Sequence, residues 1–237
     1  MLEFTKAPGT LPGGRRVYAI GDVHGCDDRL AVLHEAIARD LAHRPCDAPL
    51  LLHLGDYVDR GPDSRGVVRR LAAGDPLPGV KTVNLLGNHE ATMIDALSGQ
   101  GAAMTDWMIQ GGREALQSWG GDPDAPRPTW PGHVPAEDMD FLRGLALSHR
   151  EGGYLFVHAG IRPGVAVEEQ TRQDLISIRQ AFLYSDLDFG VAVVHGHTPK
   201  PDPVIRHNRI GVDTGAVYGG RLTCAVLEAD RVGFLYA

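Results

Sequence analysis

The sequence predicts an α/β fold built on a largely parallel sheet, and three observations carry that expectation. Five short apolar runs read as buried strands: "VYAI" (17–20), "LLHL" (51–54), "TVNLL" (82–86), "YLFV" (154–157) and "VAVV" (191–194). Helical patterns separate the early runs, and strand–helix–strand repetition implies parallel strands with right-handed crossovers. Each run also stops abruptly at a polar cluster flanked by glycine.

The elements follow in order. Residues 1–15 lack the apolar segment of a signal peptide and are expected to be a short flexible lead-in to a single domain spanning 1–237. Leu30, Leu33, Ile37 and Leu41 recur at helical spacing behind the possible caps Asp27 and Asp28. Ser64 is the candidate cap of a helix carrying Val67, Val68 and Leu71. Met93, Ile94 and Leu97 mark a third helix. Residues 99–150 read as a helical cap inserted between the halves of the sheet. It has a pattern from Trp107 to Trp119 broken at Gly111–Gly112, a Gly/Pro-rich stretch (120–137), and a helix with Met139, Leu142 and Leu145. The C-terminal segment reads as antiparallel strands joined by glycine turns.

Composition narrows the function classes. Hydrophobic residues make up 43% and charged residues 22%, an ordinary globular balance. The net charge of −7 argues against a nucleic-acid binder, which usually carries a basic face. No apolar run approaches the roughly 20 residues of a membrane span. Three cysteines without CxxC spacing exclude a disulfide framework and fit a cytoplasmic location. Cys26 is read as a small filler.

The strand ends carry the chemistry. "GDVHG" supplies Asp22 and His24, and "GDYVDRG" supplies Asp56, Asp59 and Arg60. "GNHE" supplies Asn88, His89 and Glu90; "HAG" supplies His158; "HGHT" supplies His195 and His197. Strands that end together deliver these groups to one sheet edge, where α/β folds bind ligands. One Asp or His after a strand is ordinarily a turn former or a solvated residue. Five such clusters exceed what turn preference produces. Carboxylate, imidazole and amide oxygen without thiolate suit Mn, Fe, Zn or Mg, and the donors outnumber one ion's needs. Two divalent metal ions roughly 3.5–4 Å apart, sharing a carboxylate, would use them all.

These five ordered motifs resemble the calcineurin-like metallophosphoesterase superfamily. More narrowly they resemble the phosphoprotein phosphatase (PPP) family of Ser/Thr protein phosphatases with its bacterial and phage lambda-like members. "WMIQGG" (107–112) and "DTGAVYGG" (213–220) are similar to segments of the bacterial members. The resemblance implies an α/β/β/α sandwich of two mixed β-sheets flanked by helices. It implies that Asp22, His24 and Asp56 bind one metal, most often Mn, and that Asp56, Asn88, His158 and His197 bind a second. Arg60 and Arg179 would hold phosphoryl oxygens, with Asn88 and His89 also facing the phosphate. His89 would be the general acid, oriented by Asp59, while a metal-bridging hydroxide attacks in line. The family often has an aromatic shortly before that second arginine, where Ser177 and Ile178 stand here; a surface arginine on an amphipathic helix is the other reading of Arg179. Tyr218 either lies near the site or packs, and His195 either supports a ligand or is structural.

The resemblance implies a protein serine/threonine phosphatase acting on a phosphoprotein or phosphopeptide. The alternative is a diadenosine tetraphosphate hydrolase, whose members tend to differ at the positions of Asp59 and Glu90. A non-catalytic metal- or phosphate-binding relative is the third reading, and loss of ligands would mark it.

Overall fold

A computed structural model describes residues 2–237. Its strands are β1 (Thr5–Lys6), β2 (Arg15–Ile20), β3 (Ala48–His53), β4 (Lys81–Asn84), β5 (Ser148–Glu151), β6 (Tyr154–Val157), β7 (Ala192–His195), β8 (Val204–Ile205), β9 (Arg209–Gly211), β10 (Thr223–Glu228) and β11 (Arg231–Tyr236). Its helices are α1 (Asp27–His43), α2 (Ser64–Ala72), α3 (Asn88–Leu97), α4 (Gly101–Trp107), α5 (Arg113–Ser118), α6 (Ala136–Arg143), α7 (Arg172–Ser177) and α8 (Gln180–Leu183).

The first sheet has the order β1-β11-β10-β2-β3-β4, with β2, β3 and β4 parallel. The second has the order β5-β6-β7-β9-β8, with β6, β7 and β9 parallel. Period-two side-chain alternation explains the layers. Val17, Ala19, Leu50 and Leu52 pack against Tyr154, Phe156, Ala192 and Val194 in a core between the sheets. Tyr18, Ile20 and Leu51 face the opposite way, onto Leu30, Leu33, Val67 and Met93. Leu155, Val157 and Val193 face a third core with Leu175, Ile176 and Phe182. Both faces of the central strands are therefore buried, which is why their sequences are continuous apolar runs. The expected sandwich of two mixed sheets flanked by helices is the fold observed.

Several local expectations are corrected. The lead-in is tied down: β1 pairs with β11, Ala7 and Leu11 are buried, and the Gly9 carbonyl accepts from the Tyr154 hydroxyl at 2.7 Å. The cap of α2 is Asp63, which accepts from the Gly66 amide at 2.8 Å, not Ser64. Cys26 occupies the cap position of α1; Asp27 and Asp28 lie in its first turn, where they complement the helix dipole. At the C-terminus β9 runs parallel to β7, and the β10–β11 hairpin turns through Ala229 and Asp230 rather than glycine.

The insert is not a lid. Its helices α4, α5 and α6 extend the outer helical layer: Met104, Trp107, Leu116, Trp119, Met139 and Leu142 join the core on that side of the first sheet. The chain has already returned to the sheets by residue 146, where Ala146 bridges Leu85 and β5 follows.

Candidate functional site

The C-terminal ends of β2, β3, β6 and β7 and the N-terminus of α3 converge on one edge of the sandwich. The backbone there is unusual. Among the described residues six non-glycines have positive φ, and five lie at this edge: His24 (44°), Asp56 (54°), Asp59 (73°), Arg60 (68°) and His197 (66°). Each such conformation costs on the order of 1–3 kcal/mol, and such strain tends to gather at functional sites. Glu90 holds the strained loop in place. Its carboxylate accepts from the amides of Asp56 (2.9 Å), Tyr57 (2.6 Å), Val58 (3.2 Å) and Gly87 (2.9 Å).

Asp56 is the centre of the cluster. One oxygen lies 3.3 Å from His158 Nε2; the other lies 3.5 Å from His24 Nε2 and 3.9 Å from His89 Nε2. Asn88 Oδ1 and His197 Nδ1 lie 3.1 and 3.2 Å from His158 Nε2. The ring orientations are fixed from behind: His24 Nδ1 donates to the Val58 carbonyl at 2.8 Å and His158 Nδ1 to the Leu54 carbonyl at 2.9 Å. Each ring thereby turns its Nε2 to the centre. Asp22 accepts from the His197 amide at 3.1 Å. Gly196 is required there, because a Cβ at this position would collide with the Asp22 carboxylate.

The electrostatics show a site that wants cations. Burial raises Asp22 well above its usual value, and the neighbouring Asp213 raises it further. Burial also opposes charge on Asp56, yet His158 and His89 hold its carboxyl well below the ordinary range. Burial disfavours charge on His158 too, but Asp56 and Asp22 outweigh it and raise His158 to about 10. His24 and His197 are pushed down to about 3, first by burial. Buried carboxylates with imidazole nitrogens converging on them are a fitting donor set for divalent metal. Two groups have ligand atoms within 4.8 Å of one another: His24, Asp56 and His89, and Asp56, His158 and His197. They share Asp56.

Around this cluster stand the other expected residues. His89 Nδ1 donates to Asp59 Oδ2 at 2.6 Å, and both residues are buried. Burial works against a charged His89, but Asp56 and Asp59 outweigh it and raise its pKa. Arg60 reaches His24 Nε2 at 2.6 Å, and its guanidinium lies 5.7 Å from the centre of the half-exposed Tyr218 ring. Arg179 occupies a break between α7 and α8, not a continuous helix face; its Nε donates to His197 Nε2 at 3.0 Å. Asp22, His24, Arg60, Arg179, His197, Asp213 and Tyr218 line a cavity of about 510 Å³. Tyr218 is therefore at the rim and not in a core.

Three contributors lie in "WMIQGG" and "DTGAVYGG", segments whose residues had no individual role in the sequence reading. Asp213 stands beside Asp22 just beyond β9; the strand-end pattern "RIGVD" was a usable signal for it. Trp107 Nε1 donates to Asp59 Oδ1 at 2.8 Å from α4, with no local signal to link them. The Gly111 carbonyl accepts from the Arg60 amide at 3.0 Å; Gly111 has φ 108°, and a Cβ there would press on Arg60. His195 is not in the cluster. It faces Phe182 and Arg209 on the other side of β7.

The fold and the site define a phosphoesterase. The chain matches the family described as calcineurin-like phosphoesterase over residues 15–232, and it belongs to that family. Among its relatives is a symmetrical bis(5'-nucleosyl)-tetraphosphatase of Dechloromonas aromatica, 35% identical over 62% of this chain and 44% of that protein. The chain thus spans less than half the length of that relative. Another protein of the same name, from Ralstonia nicotianae, is 27% identical over 91% of this chain and 90% of its own length. A solved structure described provisionally as a diadenosine tetraphosphatase superposes with a TM-score of 0.67 at 23% identity, covering 94% of this chain and 93% of the other. At that identity the likeness speaks for the fold alone. No helix among the described residues is long and apolar enough to cross a membrane.

Proposed function

We propose that the protein hydrolyses a phosphoric anhydride bond of a dinucleoside polyphosphate, with diadenosine tetraphosphate the representative substrate, and that it needs two divalent metal ions. The observation that carries this reading is the near full-length alignment with the Ralstonia nicotianae bis(5'-nucleosyl)-tetraphosphatase. It turns the expectation from a protein phosphatase to the alternative. Asp59 and Glu90, where the nucleotide hydrolases tend to differ, have structural roles here. Glu90 is a staple for the backbone of the 56–58 loop, and Asp59 is the buried partner of His89. Neither lines the open cavity, so neither carries much information about what fills it.

Asp22, His24 and Asp56 would hold one metal, and Asp56, Asn88, His158 and His197 the other. When bound, such a pair supplies positive charge to phosphoryl oxygens and makes water a stronger acid near neutral pH. Mn, Fe, Zn and Mg all suit the donors. Arg60 and Arg179 present planar forks to the phosphoryl oxygens. His89, with Nδ1 fixed by Asp59, directs Nε2 to the centre and would pass its proton to the departing oxygen. Water adds to phosphorus as the anhydride P–O bond breaks, leaving two nucleoside phosphates. Loss of ligands would mark a non-catalytic relative, and Asp22, His24, Asp56, Asn88, His158 and His197 are all present in the sequence.

The test is kcat/KM of the Mn-loaded protein on diadenosine tetraphosphate beside phosphoserine, phosphothreonine and phosphotyrosine peptides. The dinucleotide should lead by at least about tenfold, a difference of 1.4 kcal/mol in transition-state binding. A lead by any phosphopeptide returns the protein to the phosphatase reading. The products locate the cut: two ADP, or ATP with AMP.

A further inference from the structure

The loop after β7 divides two cavities. His197 and Pro199 line the catalytic pocket, whereas Thr198 and Lys200 line a separate cavity of about 590 Å³, and Asp213 touches both. The second cavity is richer in cations. Lys200, Arg206 and Arg209 bring cations to it. Arg206 is matched by Asp186 at 2.7 Å, but Lys200 and Arg209 have no carboxylate partner among the described residues. Asp213, the one acid in the lining, is turned toward Asp22 and the Gly215 amide.

Arg209 is the decisive residue. It is 7% exposed, it sits on β9, and its Nε has no hydrogen-bond partner. Its Nη1 donates to His195 Nε2 and its Nη2 to the Leu183 carbonyl, both at 3.3 Å. His195 stands behind it, with Nδ1 3.0 Å from the Gly196 carbonyl and Nε2 facing the guanidinium. Thr198 Oγ1 is a second buried polar atom in this lining without a partner. A buried guanidinium with no carboxylate partner and an unpartnered Nε is poorly compensated, and an anion in the cavity would complete it. Tyr184, 77% exposed at the lining with Leu183 and Val204 beside it, offers a flat face of the kind on which bases stack.

We propose that this cavity binds the distal nucleoside phosphate of the dinucleotide, with Lys200 and Arg209 on its phosphates and Tyr184 against its base. The inference rests on the dinucleoside reading above. It gives the two halves of the substrate separate sites, one on each side of the 196–200 loop.

The experiment uses the Mn-loaded enzyme and two variants at exposed positions, Lys200→Glu and Tyr184→Ala, whose folding is checked by thermal unfolding. Each should raise KM for diadenosine tetraphosphate about tenfold with kcat within about twofold, the loss expected of one charge-assisted or stacking contact. Turnover of p-nitrophenyl phosphate, too short to reach past the loop, should stay within about twofold. ADP titrated into the enzyme should bind about tenfold more weakly to Lys200→Glu. Unchanged KM for the dinucleotide together with unchanged ADP affinity overturns the inference while the proposed function stands. If the wild type does not cleave the dinucleotide, that function fails instead, and the ADP titration alone decides the cavity: weaker binding by Lys200→Glu keeps it as a nucleotide site, and equal or absent binding removes it.

Discussion

The two cavities flanking the 196–200 loop share that loop and Asp213 but gather different groups. The catalytic pocket gathers Asp22 and Asp213 with Arg60 and Arg179 beside the Asp56 cluster, on a strained backbone that orients His24 and His158 from behind. Its neighbour gathers cations and leaves Arg209 Nε and Thr198 Oγ1 unpartnered. One side is arranged to take metal ions and the other an anion. Adjacent residues of one strand end, alternating in direction, can thus serve two ligands.

The largest effect should come from Asp56→Asn. Both candidate metal groups include Asp56, so activity should fall at least about 1,000-fold, the several kcal/mol that bound cations give to a charged transition state. Retained turnover with intact metal content would remove Asp56 from the centre of the account.

His89→Asn should come next, and its size should depend on the leaving group. General acid catalysis contributes about 100- to 10,000-fold where the leaving oxygen is a strong base. The loss should be large on a phosphoserine peptide, smaller on the dinucleotide and smallest on p-nitrophenyl phosphate. An equal loss on all three, with metal lost as well, would make His89 a ligand, as its place beside His24 and Asp56 also permits.

Trp107→Phe keeps the packing and deletes the N–H to Asp59. A lost hydrogen bond to a charged group is worth about 1.5–3 kcal/mol, so kcat should drop about tenfold or more with KM little changed. No change in kcat would leave the insert without a part in positioning His89.

The remaining effect is on stability, not turnover, and lies away from both cavities. His34 Nε2 and His53 Nε2 are 2.9 Å apart, and His53 Nδ1 donates to Asn84 Oδ1 at 2.8 Å. Burial lowers His34 to about 4 and His53 to about 3. The unfolded chain binds protons at these rings near pH 6.5, before the folded one does. Their effect on stability is therefore absent above that pH and becomes a loss as pH falls toward 4, on the order of 3 kcal/mol for a shift of two units or more. Urea unfolding at pH 7 and pH 5 should show the drop, and His34→Gln should reduce it. A drop unchanged in His34→Gln would place its origin elsewhere.

Much of the fold was legible because the central strands are buried on both faces. Their apolar runs stand out, and their ends carry the site, so Asp22, Asp56, His158 and His197 were found together. What was hidden depends on contacts distant in sequence. Trp107 reaches Asp59 across 48 positions, and nothing local to α4 signals it. The lead-in looked loose because its anchoring partner, β11, is at the far end of the chain. The phosphate-holding reading of Arg179 stood beside a surface helical one because the break between two short helices has no marker such as proline or glycine in "LISIRQAF". The preference for a protein substrate rested on motif residues, which report the geometry of the reacting centre rather than what fills the cavities around it, and the names of the relatives favour the alternative.

The division of one loop between metal pocket and anion cavity is tested most directly by counting metal per chain in the wild type, His197→Ala and His195→Ala after reconstitution with Mn. The account predicts two ions in the wild type, one or fewer in His197→Ala and two in His195→Ala. Loss of metal from His195→Ala with full occupancy in His197→Ala would contradict it.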